Sequence, residues 1–373
     1  MKTRFHPTAR SRAAWLMSLG GAVVNALILA PALAAEPAMP STPSVNADGI
    51  VNTAPLVVPF SNFGSSQAHA AFVRLFAHPQ KPAGGDIKTL RAFYDKFNTE
   101  RADRAKQLYP VIIEPRTIGG VKTEVITPKE GVAASNRHRV LINLHGGAFM
   151  WGEGAGGEVE SIPIASIGRI TVITVAYRQG PEFKFPAASE DVASVYRKLL
   201  QTHRAGEIGI YGCSAGGMLT AEAVAWFQRE HLPRPGAIGT FCGSASGFGG
   251  DSMRLAFPLT GQPSLPDGAN GGLSFSPYFS EVSVTDPLVL PITSDRVLGQ
   301  FPPTLLIAGS RDFSASALYR TDVALTQAGV ETELHVWDGM WHAFFVDPDL
   351  PESQQVYRVI VNFFDRHLAR HTR

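Results

Sequence analysis

Tyr211-Gly212-Cys213-Ser214-Ala215-Gly216-Gly217 reads Gly-x-Ser-x-Gly, the pattern of a sharp strand-to-helix turn that lifts a serine hydroxyl out of the fold. Its glycines have a steric task. The serine of such a turn is held in a strained backbone conformation, and side chains two residues to either side would collide across so tight a bend. The flanks suit it: Ile208-Gly209-Ile210-Tyr211 is short and apolar enough for a buried strand, and residues 218–230 are rich in helix formers. A five-residue pattern this loose also arises by chance, and a Gly/Ser turn without chemistry reads the same. What decides between them is whether the rest of the chain supplies a base, an orienting acid and oxyanion donors in the right order.

Outward from this turn, short apolar runs alternate with helical stretches. Residues 121–127 alternate like a half-buried strand, and further strands are expected at 140–144, 170–176, 208–211, 237–242, 304–308 and 332–337. Helices are expected between them at 157–168, 187–203, 215–230, 315–328 and 352–367. That rhythm predicts an α/β fold with a mostly parallel central sheet flanked by helices. Two further helices, at 68–78 and 86–107, precede it around a Pro/Gly break at 79–85. The segment 243–297 interrupts the rhythm with Gly, Pro and Ser, and is too long for a simple connection; it reads as a cap or lid insertion.

The chain has 373 residues, 45% hydrophobic and 17% charged, which suits a large core and excludes global disorder. Its net charge of +1 conceals a processing signal. Lys2, Arg4, Arg10 and Arg12 precede a largely apolar run from Ala13 to Ala30, and Ala32-Leu33-Ala34 offers a small-x-small cleavage site. Residues 1–34 therefore read as a secretory signal peptide and 35–59, rich in Pro, Ala, Ser and Thr, as a flexible leader. The competing reading, a membrane anchor at residues 13–30, is short for a span and interrupted by Ser18, Gly20, Gly21 and Asn25. Cleavage removes four basic residues and leaves 29 Lys+Arg against 32 Asp+Glu, a net charge of −3. An exported, weakly acidic protein has no electrostatic reason to bind nucleic acid or an anionic membrane. The two cysteines, Cys213 and Cys242, read as inert buried thiols.

Five histidines follow Ser214. His231 belongs to a helix end, His335 to a strand where a packed core role is expected, and His367 and His371 to the C-terminal helix and tail. His342 follows a strand, in the loop Asp338-Gly339-Met340-Trp341-His342-Ala343-Phe344-Phe345. Loops at the carboxyl edge of a parallel sheet collect catalytic groups, although on its own a loop histidine among aromatics also suits a packing role. For the acid, Asp312 lies just past the apolar strand at 304–308 and leads over Asp286, Asp295, Asp338 and Asp347. The order Ser214, Asp312, His342 is that of a Ser-Asp-His triad. His145-Gly146-Gly147-Ala148-Phe149, after the strand at 140–144, is placed to present backbone N–H groups to a developing oxyanion. One decoy, Gly152-Glu153-Gly154-Ala155-Gly156-Gly157, contains Gly-x-Gly-x-x-Gly after a strand; an acid beside phosphate and no acidic residue at the end of the next strand argue against a dinucleotide site.

Assembled, the chain resembles the hormone-sensitive-lipase-like branch of the α/β-hydrolase esterases. The resemblance rests on His145-Gly146-Gly147-Ala148 (family HGGG), Tyr177-Arg178-Gln179-Gly180-Pro181-Glu182 with Phe185-Pro186-Ala187-Ala188 (YRLAPE…FPAA), and Gly212 to Gly217 (GDSAGG). Pro302-Pro303-Thr304 before the strand leading to Asp312, and His342-Ala343-Phe344 (HGF), complete it. It implies an N-terminal helical cap at residues 60–110 shaping an acyl pocket, an α/β-hydrolase domain over 111–373, and oxyanion N–H groups from Gly146, Gly147 and Ala215. Three positions depart from the pattern: Ala148 for the third glycine, Cys213 beside the serine, and Asp312-Phe313-Ser314 in place of Asp-Pro-Leu. The expectation is an exported serine carboxylesterase for short- to medium-chain acyl esters, using neither metal nor cofactor and taking a small-molecule ester, with no stable membrane insertion after cleavage. A lactonase, amidase or peptidase on the same triad, or a non-catalytic small-molecule-binding protein on the same fold, remains open from sequence.

Overall fold

An eight-stranded sheet carries the computed structural model, which describes residues 42–53, 55–80, 82–262 and 272–369. The expected signal peptide at 1–34 and the adjoining start of the leader lie outside the described residues, as does His371. The chain divides at Val57/Val58. In the first unit, Ser44–Val45 (β1) pairs antiparallel with Val51–Asn52 (β2), and Asn46 Oδ1 accepts the N–H groups of Asp48 and Ile50 across the turn.

The second unit opens with two helices, Ser66–Phe76 (α1) and Ile87–Leu108 (α2), N-capped by Ser65 and Asp86, whose side-chain oxygens accept from Ala68 and Thr89 N–H. The sheet follows: Val111–Ile118 (β3), Val121–Pro128 (β4), Val140–Leu144 (β5), Thr171–Val175 (β6), Ile208–Cys213 (β7), Ala237–Phe241 (β8), Thr304–Arg311 (β9) and Thr332–Trp341 (β10). Their spatial order is β10-β9-β8-β7-β5-β6-β4-β3, parallel except where β4 meets β6 and β3 meets β4. Between strands run Ala155–Gly168 (α3), Ala187–Leu199 (α4), Ala215–Arg229 (α5) and, beyond β9 and β10, helices Ala315–Gln327 and Pro351–His367. The fold is that of an α/β hydrolase, with β5 and β7 buried along their whole length, hence their unbroken apolar runs.

Two strands differ from the sequence reading. β3 is an edge strand with Pro115 set between Glu114 and Arg116, so its composition hid it. Gly119 and Gly120, both at positive φ, close its hairpin with β4 as a two-residue turn. β10 continues past Trp337 to Trp341 through an irregularity where Gly339 takes φ 76°, so His342 leaves directly from the strand end. His335 is half-exposed beside Glu333 rather than packed in the core, because it lies on an edge strand. His367, expected to be solvated, packs on Phe363 with its side chain 13% exposed. In the segment 243–297 the described part holds a helix at Gly250–Leu259 (α6) and short helical turns at Pro277–Phe279, Pro291–Thr293 and Asp295–Leu298, with Phe248, Tyr278, Phe279 and Leu290 buried in the main core.

The helices ahead of the sheet are tied by polar contacts to the loops that follow β5 and β6 and to the last helix. Arg91 on α2 donates through Nε to Met150 O at 2.8 Å and through Nη2 to Gly180 O at 3.0 Å, and grips both carboxylate oxygens of Glu182 at 2.7 Å. Ser65, before α1, donates its N–H and hydroxyl to the two oxygens of Glu352 on the last helix.

The turn between β7 and α5 is the tightest point of the sheet. Ser214 holds φ 57° and ψ −119°. A Cβ on Gly216 would fall on the carbonyl oxygens of Leu144 and His145, and one on Gly212 would meet Leu144 O and the Gly216 backbone. Those contacts are backbone, which cannot rotate aside. Gly216→Ala is expected to cost about 3 kcal/mol or more of unfolding free energy, measured by denaturant unfolding beside wild type; a loss under about 1 kcal/mol would show that this junction can relax.

Candidate functional site

Because β5, β7, β9 and β10 run parallel, their carboxyl ends deliver four loops to one edge of the sheet. Ser214 follows β7, Asp312 follows β9, His342 follows β10, and His145 to Ala148 follow β5. His342 Nε2 lies 2.9 Å from Ser214 Oγ, and His342 Nδ1 lies 2.7 Å from Asp312 Oδ1. The structure thus brings together the serine, histidine and acid singled out from sequence. Asp312 is fully buried, while His342 keeps 23% of its side chain exposed toward the cavity.

The departure at residues 312–314 has a structural use. Ser314 donates both its N–H and its hydroxyl to Asp312 Oδ1, each at 2.8 Å, fixing the carboxylate that faces His342. Phe313 stacks on the His342 ring with centroids 4.2 Å apart, and is itself packed against Phe248 and Phe257 of the 243–297 segment. Cys242 Sγ accepts the Ala343 N–H at 3.3 Å and holds the turn after His342, where Ala343 takes φ 54°. Cys213 and Cys242 are buried free thiols; burial pushes the Cys213 thiol up to about 11 and holds the Cys242 thiol well above its ordinary value. Ligand atoms of Cys242, Asp312 and His342 lie within 4.8 Å of one another, close enough to bracket an ion. These donors are already paired, however, with Ala343, with each other and with Ser214.

The loop after β5 is held from beneath. His145 is fully buried, stacks on Tyr177 at 4.3 Å, and places Nδ1 2.7 Å from Gly146 O, so Nδ1 carries the proton. Burial, against that one hydrogen bond, brings His145 down to about 4. The Tyr177 hydroxyl donates to His145 O at 2.7 Å. Ala148 and Phe149 both adopt left-handed backbone (φ 53° and 56°), so the third position of the HGGG pattern uses glycine-like geometry with an alanine. Of the three N–H groups expected to face an oxyanion, that of Gly146 points elsewhere: it donates to Glu160 Oε1 at 2.8 Å. Gly147, at φ 121°, and Ala215, the first residue of α5, line or border the site.

Glu160 is the residue that sequence reasoning missed. It sits on α3, 8% exposed, and its second oxygen accepts from Asn143 Nδ2 at 3.0 Å. A point at the position of a Gly146 Cβ would be 3.4 Å from both Glu160 Oε1 and Ser214 Cβ, so the carboxyl adjoins the serine. One signal was available: an acid inside the run Val159-Glu160-Ser161-Ile162-Pro163-Ile164-Ala165, which is buried throughout. A cavity of about 450 Å³ opens over Ser214 and His342, walled by Phe97 on α2, Trp151, Trp341 and Phe344.

A protein-family model described as the alpha/beta hydrolase fold matches residues 141–346. An acetyl-hydrolase of Streptomyces hygroscopicus is 27% identical over 280 residues, 74% of this chain and 88% of that protein. The crystal structure of the esterase E25 superimposes with a TM-score of 0.71 at 28% identity, covering 85% of this chain and 98% of that one. An esterase from the bacterial hormone-sensitive lipase family shares the fold, with a TM-score of 0.69 at 24% identity, over 82% of this chain and 99% of its own.

Burial pushes the Glu160 carboxyl from its ordinary 4.5 up to about 8, with hydrogen bonds from Asn143 and Gly146 acting the other way. In the unfolded chain this carboxyl ionises at its ordinary value, so stability present below pH 4.5 is lost progressively as pH rises to about 8 and no further. Glu160→Gln preserves both contacts, since its oxygen accepts from Gly146 and its amide pairs with a rotated Asn143. The melting temperature of the variant minus that of wild type is expected to grow across this window and then level off. A difference that stays constant with pH would contradict the assignment.

Proposed function

The chain belongs to the alpha/beta hydrolase fold family, and from that premise we propose that it is a carboxylic ester hydrolase of the hormone-sensitive-lipase-like branch that cleaves short- to medium-chain acyl esters through Ser214. The observation that carries the reading is the pair of hydrogen bonds linking Asp312 to His342 and His342 to Ser214 at the floor of a largely apolar cavity. In this scheme Ser214 Oγ attacks the ester carbonyl while His342 Nε2 takes its proton. The oxygen that becomes negative is received by the N–H groups of Gly147 and Ala215, and Gly146 contributes by anchoring the loop to Glu160.

As the tetrahedral species collapses, His342 returns the proton to the departing alkoxide, leaving an acyl-Ser214. Water, activated by the same imidazole, then releases the acid. Asp312, fixed by Ser314, holds the imidazole orientation and balances its cation, while Phe313 limits ring rotation by stacking. The apolar walls favour an acyl chain over a bulky polar group. Residues 1–34 serve to export the protein, residues 60–110 act as the cap of the acyl pocket, and the described part of 243–297 supports the site from behind through Phe248 and Phe257 against Phe313. Among the described residues no helix is long and apolar enough to cross a membrane.

The test is hydrolysis of p-nitrophenyl acetate, butyrate, octanoate and palmitate by wild type beside Ser214→Ala and His342→Ala. Each substitution is expected to lower kcat by about 10⁴-fold or more, because members of such a triad act as a unit, and the chain-length optimum reports the depth of the cavity. Equal rates for wild type and Ser214→Ala would overturn the reading.

A further inference from the structure

The cavity above Ser214 is apolar along most of its wall, but it contains one cation that the hydrolytic scheme does not use. Helix α2 turns Tyr94, Phe97, Asn98 and Arg101 toward it, the spacing of a single helix face. The Arg101 guanidinium lies 3.4 Å over the Phe97 ring, and Nη1 donates to Phe97 O at 3.0 Å. Its Nε is buried and without a hydrogen-bond partner among the described residues, and no carboxylate there approaches it within ion-pair distance.

The acid whose field it feels most, Asp347, is already engaged: Oδ2 accepts from Arg74 at 3.3 Å and Oδ1 from the Asp349 N–H at 3.2 Å. Asp347 is therefore paired with Arg74, and Arg101 has no ion-pair partner among the described residues at this end of the cavity. The other acid on the wall, Glu160, is kept uncharged by burial up to about pH 8 and repels no anion below that. A desolvated cation with a free donor is costly to keep unless something pairs with it. A cleft beside a reactive serine is where a ligand supplies that partner.

We propose that Arg101 forms a subsite for a carboxylate carried by the substrate, so that the preferred esters are those whose acyl chain ends in an acid group, the half-esters of dicarboxylic acids. The proposal rests on the esterase reading above and narrows its substrate class. The acyl chain lies along the aromatic walls, its carbonyl at Ser214, and its terminal carboxylate meets the Arg101 guanidinium where that side chain lines the cavity. Cleavage releases the alcohol and a dicarboxylate.

The experiment follows acid release by pH-stat with the full chain as wild type, Arg101→Gln and Arg101→Lys. The substrates are monoethyl succinate, adipate and suberate, each beside the neutral ethyl butyrate, hexanoate and octanoate. Wild type is expected to favour the acid-ended ester at one chain length at least. The ratio of kcat/KM for acid-ended over neutral ester is expected to fall about tenfold or more in Arg101→Gln, chiefly through KM, with Arg101→Lys between the two. In wild type, rising salt should narrow the ratio, and free adipate should compete with ethyl hexanoate; these two readings decide the matter even if a variant fails to fold.

A wild-type preference for neutral esters at every length, or equal losses on both series in Arg101→Gln, would overturn the subsite and leave Arg101 as packing on Phe97. Neutral turnover without anionic preference removes the subsite and leaves the esterase standing. No turnover of either series removes both.

Discussion

The close approach of α5 to the end of β5 is the constraint on which the site depends. The Gly216 backbone lies against the carbonyls of Leu144 and His145 with no room for a side chain, and this contact forces Ser214 into φ 57°. Strain of that kind, on the order of 1–3 kcal/mol per residue, persists only where surrounding packing overdetermines it. Here a sheet buried on both faces supplies the rigidity. The same contact sets the serine beside the loop after β5, so one backbone junction positions both the nucleophile candidate and the groups proposed to receive the oxyanion.

Around that junction the polar groups form a graded support. Asp312 is fixed by Ser314, His342 by Asp312 and Phe313, and the β5 loop by Tyr177, His145 and Glu160. The departures from the family pattern fall within this support. Phe313 and Ser314 do work that a Pro-Leu pair could not, one by stacking and one by hydrogen bonding. Cys242 holds Ala343, and Ala148 accepts left-handed geometry where glycine is the rule.

Much of this was legible in the sequence because the signals are local. A glycine pattern marks a tight turn, an apolar run marks a buried strand, and a polar residue just past such a run marks the edge where chemistry collects. Such signals mark Ser214, Asp312 and His342 as candidates, their order along the chain singles them out together, and the structure brings their side chains into one hydrogen-bonded chain. What was not legible depends on partners distant in sequence. Gly146 looks like an oxyanion donor until Glu160, fourteen residues on, is seen to take its N–H. β3 was hidden by Pro115 and its charges, which an edge strand tolerates. His335 read as core because the position of its strand at the sheet edge cannot be inferred from the strand's own composition. Arg101 belongs to a helix whose cavity-facing side becomes meaningful only when α1, α3 and the loop after β10 close around it.

The central claim is that Ser214 is a nucleophile activated by His342. Exposure of the full chain to a fluorophosphonate, followed by intact mass and peptide mapping, tests it without assuming a substrate. A single adduct on Ser214 is expected in wild type, none in Ser214→Ala, and strongly slowed labelling in His342→Ala. Absence of labelling, or an adduct on another residue that survives Ser214→Ala, would contradict it.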